Sequence, residues 1–263
     1  MNNQAVTLER KDRVGILTLN QPEKLNAMGD EMAHDFIQAL EEIKADSKIK
    51  VVVVTGAGRA FSAGGNLDRI EARIGSSPIE NQKNGYEFYN CFLKILELKI
   101  PTIAAINGHA IGAGGCLTLA CDMRYAAASS KIGFTFVKLG LHPGMGAEYF
   151  LSRIIGRART FELLMTGDVI TAEEAYRIGL INQVAPLEEL MDRTMELAKK
   201  IAAMPVLPIR MLKESIDASM RGSLDDALRR EAVYQALCYM GQDIQEGINA
   251  IREKRTPHFS DEY

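Results

Sequence analysis

Two glycine-rich stretches hold the residues whose types and spacing suit chemistry. Residues 51–66 read Val-Val-Val-Val-Thr-Gly-Ala-Gly-Arg-Ala-Phe-Ser-Ala-Gly-Gly-Asn, and residues 106–116 read Ile-Asn-Gly-His-Ala-Ile-Gly-Ala-Gly-Gly-Cys. In each, an apolar run gives way to glycines and then to a helical pattern. The first turn of a helix has unpaired N–H groups and the positive end of the dipole, and glycine lets a ligand approach the backbone. One such turn is equally explained by tight helix–sheet packing. Two built alike can aim two amides at one oxygen, the arrangement that stabilises an oxyanion. Side-chain candidates lie close by. Cys116 falls in the first turns of a helix, where a thiolate is favoured, although a small buried packing residue is the plainer reading. His142, in the loop over 139–146, is of a type that trades protons near neutrality. Glu148 follows at a helix start, where a carboxylate also favours the dipole. His109, inside its turn, suits local hydrogen bonding.

The elements that must position these residues follow from periodicity. Strand patterns at 6–9 and 14–19 flank Arg10-Lys-Asp-Arg13 and predict a hairpin. Met32, Phe36, Leu40 and Ile43 predict a helix over 30–45. Residues 51–55 show no polar alternation, so both faces of that strand are buried, as in a parallel layer. Residues 103–106 form a similar run. Between them, helices over 66–73 and 80–98 are parted by Gly75-Ser-Ser-Pro78. Strands follow at 123–126 and 131–134, and helices at 148–155 and 159–165. Thr171, with Glu174 three residues on, has the capping-box pattern of a further helix start, and 181–185 is the last strand. From Leu187 only helical patterns remain, with Pro205 and Pro208 opening one helix and others over 224–240 and 244–254. The chain therefore reads as an α/β core over 1–200 and a helical segment over 201–263. A strand–strand–helix theme recurs without a fixed period.

Phe61-Ser-Ala-Gly-Gly-Asn66, Ala104-Ala-Ile-Asn-Gly-His-Ala-Ile-Gly-Ala-Gly-Gly115 and Leu139-Gly-Leu-His-Pro-Gly-Met-Gly146 resemble the crotonase (enoyl-CoA hydratase/isomerase) superfamily. Gln21-Pro-Glu-Lys-Leu-Asn-Ala-Met28, Leu164-Met-Thr-Gly167, Ala175-Tyr-Arg-Ile-Gly-Leu-Ile-Asn182 and Glu253-Lys-Arg-Thr-Pro-His-Phe259 extend the match in order along nearly the whole chain. The resemblance implies an α/β spiral of ββα repeats with a C-terminal all-helical segment that trimerises, as a homotrimer or a dimer of trimers. It implies an acyl-CoA thioester as partner, with coenzyme A as part of the substrate and no permanently bound cofactor. The amides of Ala63 and Ala113 would form the oxyanion hole. Gly64, Gly65, Asn66, Gly112 and Gly114 would keep the approach open, and Leu67 would join them in binding the CoA ester. Lys24, Leu25 and Ala27 would touch the CoA moiety, and Phe259 would reach a neighbour's CoA. Asp68, Tyr86, Glu87 and Tyr89 lie on helices that border the acyl pocket in the family.

The sequence departs from that pattern at the acid–base positions. Hydratases of the family carry one Glu where this chain has Cys116 and another where it has Phe136. Other members place an Asp where it has Gly144. Hydration needs one group to orient water and one to deliver a proton, so an efficient two-Glu hydratase is not expected. The resemblance instead implies enolate chemistry of isomerase, decarboxylase or thioester-hydrolase type, with Cys116, His142 and Glu148 as the side-chain candidates. A non-catalytic CoA-thioester binding or assembly protein is the alternative.

Composition narrows the field further. The 263 residues are 47% hydrophobic and 25% charged, with a formal net charge of −3. This describes an ordinary globular chain, and nucleic acid is not an expected partner. Cys91, Cys116, Cys121 and Cys238 show neither metal-ligand nor disulfide spacing, which suits a reducing cytoplasm and no metal site. No signal peptide and no membrane span are expected.

Overall fold

The computed structural model describes residues 4–260. Its central strand, β3 (Val51–Gly56), is buried at every position, as its unbroken apolar run predicts. The two faces are covered by different partners. Val52 and Val54 join the main core with Phe36, Leu40, Phe92 and Ile106. Val51 and Val53 face the opposite way and pack with Leu190, Ala198 and Ala202. This period-two division is what a strand between two layers requires.

Around β3 the chain builds two sheets. The hairpin of β1 (Val6–Lys11) and β2 (Val14–Leu19) is antiparallel, and β2 then runs parallel to β3. Adding β5 (Thr102–Ile106), β7 (Met123–Ala127) and β10 (Gln183–Ala185) completes a six-stranded sheet in the order β1-β2-β3-β5-β7-β10. The second sheet is made of three-residue strands, β4 (Ala60–Ser62), β6 (His109–Ile111), β8 (Lys131–Gly133) and β9 (Val169–Thr171), in that order. After each of β3, β5 and β7 the chain crosses to the short sheet and then enters a helix or helical turn, as expected of a spiral. The strands β4, β6 and β9 are not visible in the sequence pattern, because three residues are too few to display a period.

Eleven α-helices are found among the described residues. The first, α1 (Asp30–Ala45), buries Met32, Phe36, Leu40 and Ile43 against the large sheet, on the predicted face. The short α2 (Leu67–Glu71) is capped by Asn66, whose side chain accepts the Arg69 N–H at 3.0 Å. Next comes α3 (Pro78–Leu93), which starts earlier and ends sooner than the pattern over 80–98. Ser77 and Glu80 form its capping box, and residues 94–97 tighten into a 3-10 turn. The buried α4 (Ala113–Ala120) follows β6. After it come α5 (Ala147–Ile154), α6 (Gly156–Thr166) and α7 (Ala172–Arg177), where Thr171 accepts the Glu174 N–H at 3.2 Å. A boundary at residue 200 falls inside α8 (Leu187–Ala202), which covers the far face of the large sheet. The helices beyond it are α9 (Val206–Ser219), α10 (Leu224–Tyr239) and α11 (Asp243–Glu253). They leave large apolar side chains in the open, Leu224, Met240 and Ile251 each being at least 75% exposed.

Candidate active site

The two glycine-rich turns come together because β4 and β6 are neighbours in the short sheet, paired in parallel from Ala60↔His109 to Ser62↔Ala110. Each strand ends and its chain turns into a helix, α2 or α4, at the same edge. The turns touch. A Cβ on Gly64 would fall 2.6 Å from the Ile111 carbonyl oxygen and 3.5 Å from the Ala113 nitrogen. Gly64 also has φ +100°, which disfavours any side chain. Beneath the first turn, the Ser62 hydroxyl donates to Asn26 O at 2.7 Å and accepts the Gly64 N–H at 3.1 Å. Asn26 is fully buried, and its side chain donates to Ala57 O and Ala60 O. These anchors carry no reactive group, and sequence reasoning passes over both. Their only signal is the Asn of Gln21-Pro-Glu-Lys-Leu-Asn26, which sits at φ +53°.

The backbone corrects one assignment. The Ala63 N–H donates to Leu25 O at 2.9 Å and is not free to meet a ligand. Two residues on, an isolated parallel bridge joins Met28 to Gly65. It uses the Met28 N–H on Gly64 O at 2.7 Å and the Asn66 N–H on Met28 O at 3.0 Å. In a bridge of this pattern the N–H of Gly65 itself points to the opposite side. Ala113 begins α4, so its N–H has no acceptor within the helix. Gly65 and Ala113 are thus two turn residues whose N–H groups are used neither by the bridge nor by the helix. Gly114 serves packing, since a Cβ there would lie 2.6 Å from the Ser62 Cβ.

Both turns open onto a cleft of about 950 Å³. Ala63, Gly64, Gly65, Gly112 and Ala113 of the two turns all line it. Lys24, Ala27 and Met28 line one part, and Asn66, Leu67, Asp68, Arg69 and Arg73 of the α2 segment form a wall. Phe88 and Tyr89 of α3 and Phe136, His142 and Met145 of the following segments close it. Leu25 and Phe259, expected near CoA, are not among the lining residues. Phe259 lies instead beside Gly247, 3.8 Å from where a Cβ would stand. Of the residues expected on the bordering helices, Asp68 and Tyr89 reach the cleft, whereas Tyr86 is 69% exposed and Glu87 faces Lys83 at 3.9 Å. The Tyr89 ring fills the space a side chain at Gly144 would need, since a Cβ there would stand 2.6 Å from the Tyr89 Oη and 2.7 Å from its Cζ.

The side-chain candidates separate on burial. Cys116 is fully buried in the core, its Sγ 3.5 Å from Gly144 O, and burial pushes its thiol well above the ordinary range. A thiolate nucleophile there is therefore overturned: the apolar surroundings outweigh the helix start. Burial likewise pushes the Cys121 thiol up to about 12. With a native-state alkylating reagent and mass mapping, Cys116 and Cys121 are expected to stay unlabelled until denaturant is added. Prompt labelling of Cys116 would reverse this assignment. His142 lies on the cleft rim, mostly exposed, its Nδ1 2.8 Å from Pro143 O and its Nε2 3.9 Å from Glu148. Glu148 is exposed and does not line the cleft. His109 is exposed on β6. Asp68 is the one carboxylate among the described lining residues. No cluster of potential metal ligands occurs among the described residues, and no helix there is long and apolar enough to cross a membrane.

A spiral of paired sheets, with two glycine turns meeting over one cleft, defines a crotonase-fold protein. The chain belongs to the enoyl-CoA hydratase/isomerase family, whose family model matches residues 9–262. It is 38% identical over 246 residues to the 1,2-epoxyphenylacetyl-CoA isomerase of Escherichia coli, covering 93% of this chain and 94% of that one. It is 33% identical over 260 residues to the crotonyl-CoA hydratase of Syntrophomonas wolfei, covering 98% and 99%. Among solved structures it resembles an enoyl-CoA hydratase from Bacillus anthracis, with a TM-score of 0.92, 33% identity, and 98% and 100% of the two chains covered.

Proposed function

We propose that the protein binds an acyl-CoA thioester and polarises its carbonyl between the amides of Gly65 and Ala113. The observation that carries this reading is the meeting of the two turns, with the Gly65 N–H turned away from Met28 and the Ala113 N–H unpaired at a helix start. Two donors fixed before the substrate arrives favour the oxygen as it gains charge in an enolate, at no cost of reorganisation. The cleft offers few acids or bases beside them, which favours reactions needing little proton transfer from side chains. Loss of CO2 is one: the breaking C–C bond leaves its electron pair in the enolate, and a proton from water completes the product. Isomerisation and thioester hydrolysis are the other types the reading admits. Family relatives named as a hydratase and an isomerase support the acyl-CoA part of it.

The same scarcity of acids favours a second reading, a CoA-thioester binding protein without turnover. Conversion of any acyl-CoA by the purified protein decides against it. The apolar side chains exposed on α9–α11 support assembly into a trimer or a dimer of trimers, in which Phe259 would serve a neighbouring subunit's CoA.

Isothermal titration calorimetry tests the carbonyl site. Acetyl-CoA and crotonyl-CoA are expected to bind about tenfold tighter than free CoA, the worth of a well-placed hydrogen bond. Gly65→Pro, which removes the N–H, is expected to abolish that preference, and Gly65→Ala, which keeps it, to retain most of it. Equal affinity of the wild type for all three would overturn the proposal.

A further inference from the structure

Two polar groups in the cleft have no partner that the fold explains. Arg69 on α2 and Arg73 in the turn just beyond it both line the cleft. Arg69 has partners within the fold: its Nε–H donates to Asp30 at 2.6 Å and its guanidinium lies over the Phe88 ring at 3.9 Å. Arg73 is half-buried and forms no ion pair or hydrogen bond through its guanidinium among the described residues, although the Asp30 carboxylate, already bonded to Arg69, acts on its charge from farther off. Its backbone is held in place, since the Asn81 amide donates to Arg73 O at 3.2 Å and to Ser76 O at 3.4 Å. Burial, then the charge of Arg69, weighs against its cation, and Asp30 and Tyr89 offset this only in part, so a close anionic partner there would be favourable. The second group is the Tyr89 hydroxyl, near enough to act on the charge of Arg73 and 37% exposed as a residue. It too has no acceptor among the described residues. The ring is set between two glycines: a Cβ on Gly85 would stand 3.9 Å from its Cζ, and a Cβ on Gly144 2.6 Å from its Oη.

Resting on the acyl-CoA reading above, we propose that the cleft selects acyl groups ending in a carboxylate, which Arg73 pairs with and the Tyr89 hydroxyl hydrogen-bonds. The position fixes which end of the acyl chain is meant. Gly65 and Asn66 precede α2 at the carbonyl site, and Arg73 is in the turn just beyond α2, its N–H donating to Ile70 O at 3.1 Å; seven residues of helix and turn from Asn66 put it roughly 10 Å away. The carboxylate is therefore at the far end of the acyl chain rather than on the carbon next to the thioester. Lys24, at the side where the family holds CoA, is left for the phosphates. Asp68, the lining carboxylate, is on α2 whereas Arg73 is in the turn beyond it, and no ion pair joins the two among the described residues. A guanidinium suits this task because it meets a carboxylate through two parallel N–H bonds.

The test is calorimetric titration of the full chain with matched pairs, using free CoA as reference. The pairs are succinyl-CoA with butyryl-CoA, glutaryl-CoA with pentanoyl-CoA, and adipyl-CoA with hexanoyl-CoA. In at least one pair the carboxylated ester is expected to bind about 10–100 times tighter, the usual worth of a charge-assisted hydrogen bond. Arg73→Gln is expected to bring that pair within about threefold and leave free CoA unchanged, and Tyr89→Phe to weaken the preference by about threefold to tenfold. Retained circular dichroism and CoA affinity show that the variants are folded. If the neutral ester binds as well in every pair, the proposal is overturned, while any preference of esters over CoA keeps the acyl-CoA reading. If Arg73→Gln weakens free CoA as much as the carboxylated ester, the proposal is also overturned, and Arg73 belongs to the CoA phosphates. If no ester outbinds CoA, both readings fall together.

Discussion

Crotonyl-CoA given to the purified protein is expected to be hydrated roughly 10²–10⁴ times more slowly than by a hydratase with two carboxylates in its cleft, the usual worth of acid–base assistance. Adding water across the double bond requires one group to take a proton from water and another to deliver a proton to carbon. Asp68 is the single carboxylate lining this cleft among the described residues, and it stands on α2 next to Arg69, with Arg73 in the turn beyond. Phe136 lines the cleft with a ring that can carry no proton. Cys116 is fully buried, with its thiol held protonated far above neutral pH, so it neither activates water nor reaches it. His142 is on the rim and Glu148 outside. The measurement is the loss of the conjugated thioester against a two-carboxylate hydratase under the same conditions. A comparable rate would show that another group has taken over. Asp68→Asn and His142→Ala then identify it, because the variant that loses the rate names the group.

Much of the architecture is legible in the sequence because long elements repeat their signal. The all-buried run of β3, the 3–4 spacing of α1 and the purely helical end of the chain are each fixed by several residues that agree. The site is less legible for two reasons. First, which amide of Phe61-Ser-Ala-Gly-Gly-Asn66 is free depends on backbone pairing with a distant segment. Leu25 O takes the Ala63 N–H and Met28 bridges Gly65, so the available donor is two residues beyond the one the resemblance assigns. No side-chain type encodes that choice. Second, the reach of a side chain depends on what surrounds it. Cys116 at the start of a helix reads as reactive until its burial is known. Tyr89 reads as one of several aromatic residues on a helix until Gly144 is seen to leave it room. The absence of a side chain at Gly144 is visible in the sequence, but what fills the space is not.

Replacing Gly114 by Ala is expected to destabilise the protein by about 1–3 kcal/mol, the cost of forcing an extra methyl into a packed site. The added Cβ would meet the Ser62 Cβ at 2.6 Å, its carbonyl oxygen at 2.7 Å and its Oγ at 2.8 Å. Two of these atoms are fixed by the course of β4, and the third is tied to Asn26 O and the Gly64 N–H, so no flexible tip can yield. Relief requires α4 to move off β4. Ala113 belongs to α4 and Gly65 to the turn that leaves β4, so that movement separates the two amides. The substitution should therefore lower stability and also erase the preference for acyl-CoA over free CoA, although it touches no ligand. Gly179→Ala is the control. Gly179 has φ +78° with open space around its Cβ position, so Ala there adds backbone strain, about 1 kcal/mol, far from the cleft. Thermal unfolding and calorimetry on both variants separate the effects. If Gly114→Ala loses stability while its acyl-CoA preference stays at the wild-type value, the contact of α4 with β4 does not set the distance between the amides, and the carbonyl site rests on the backbone of another pair.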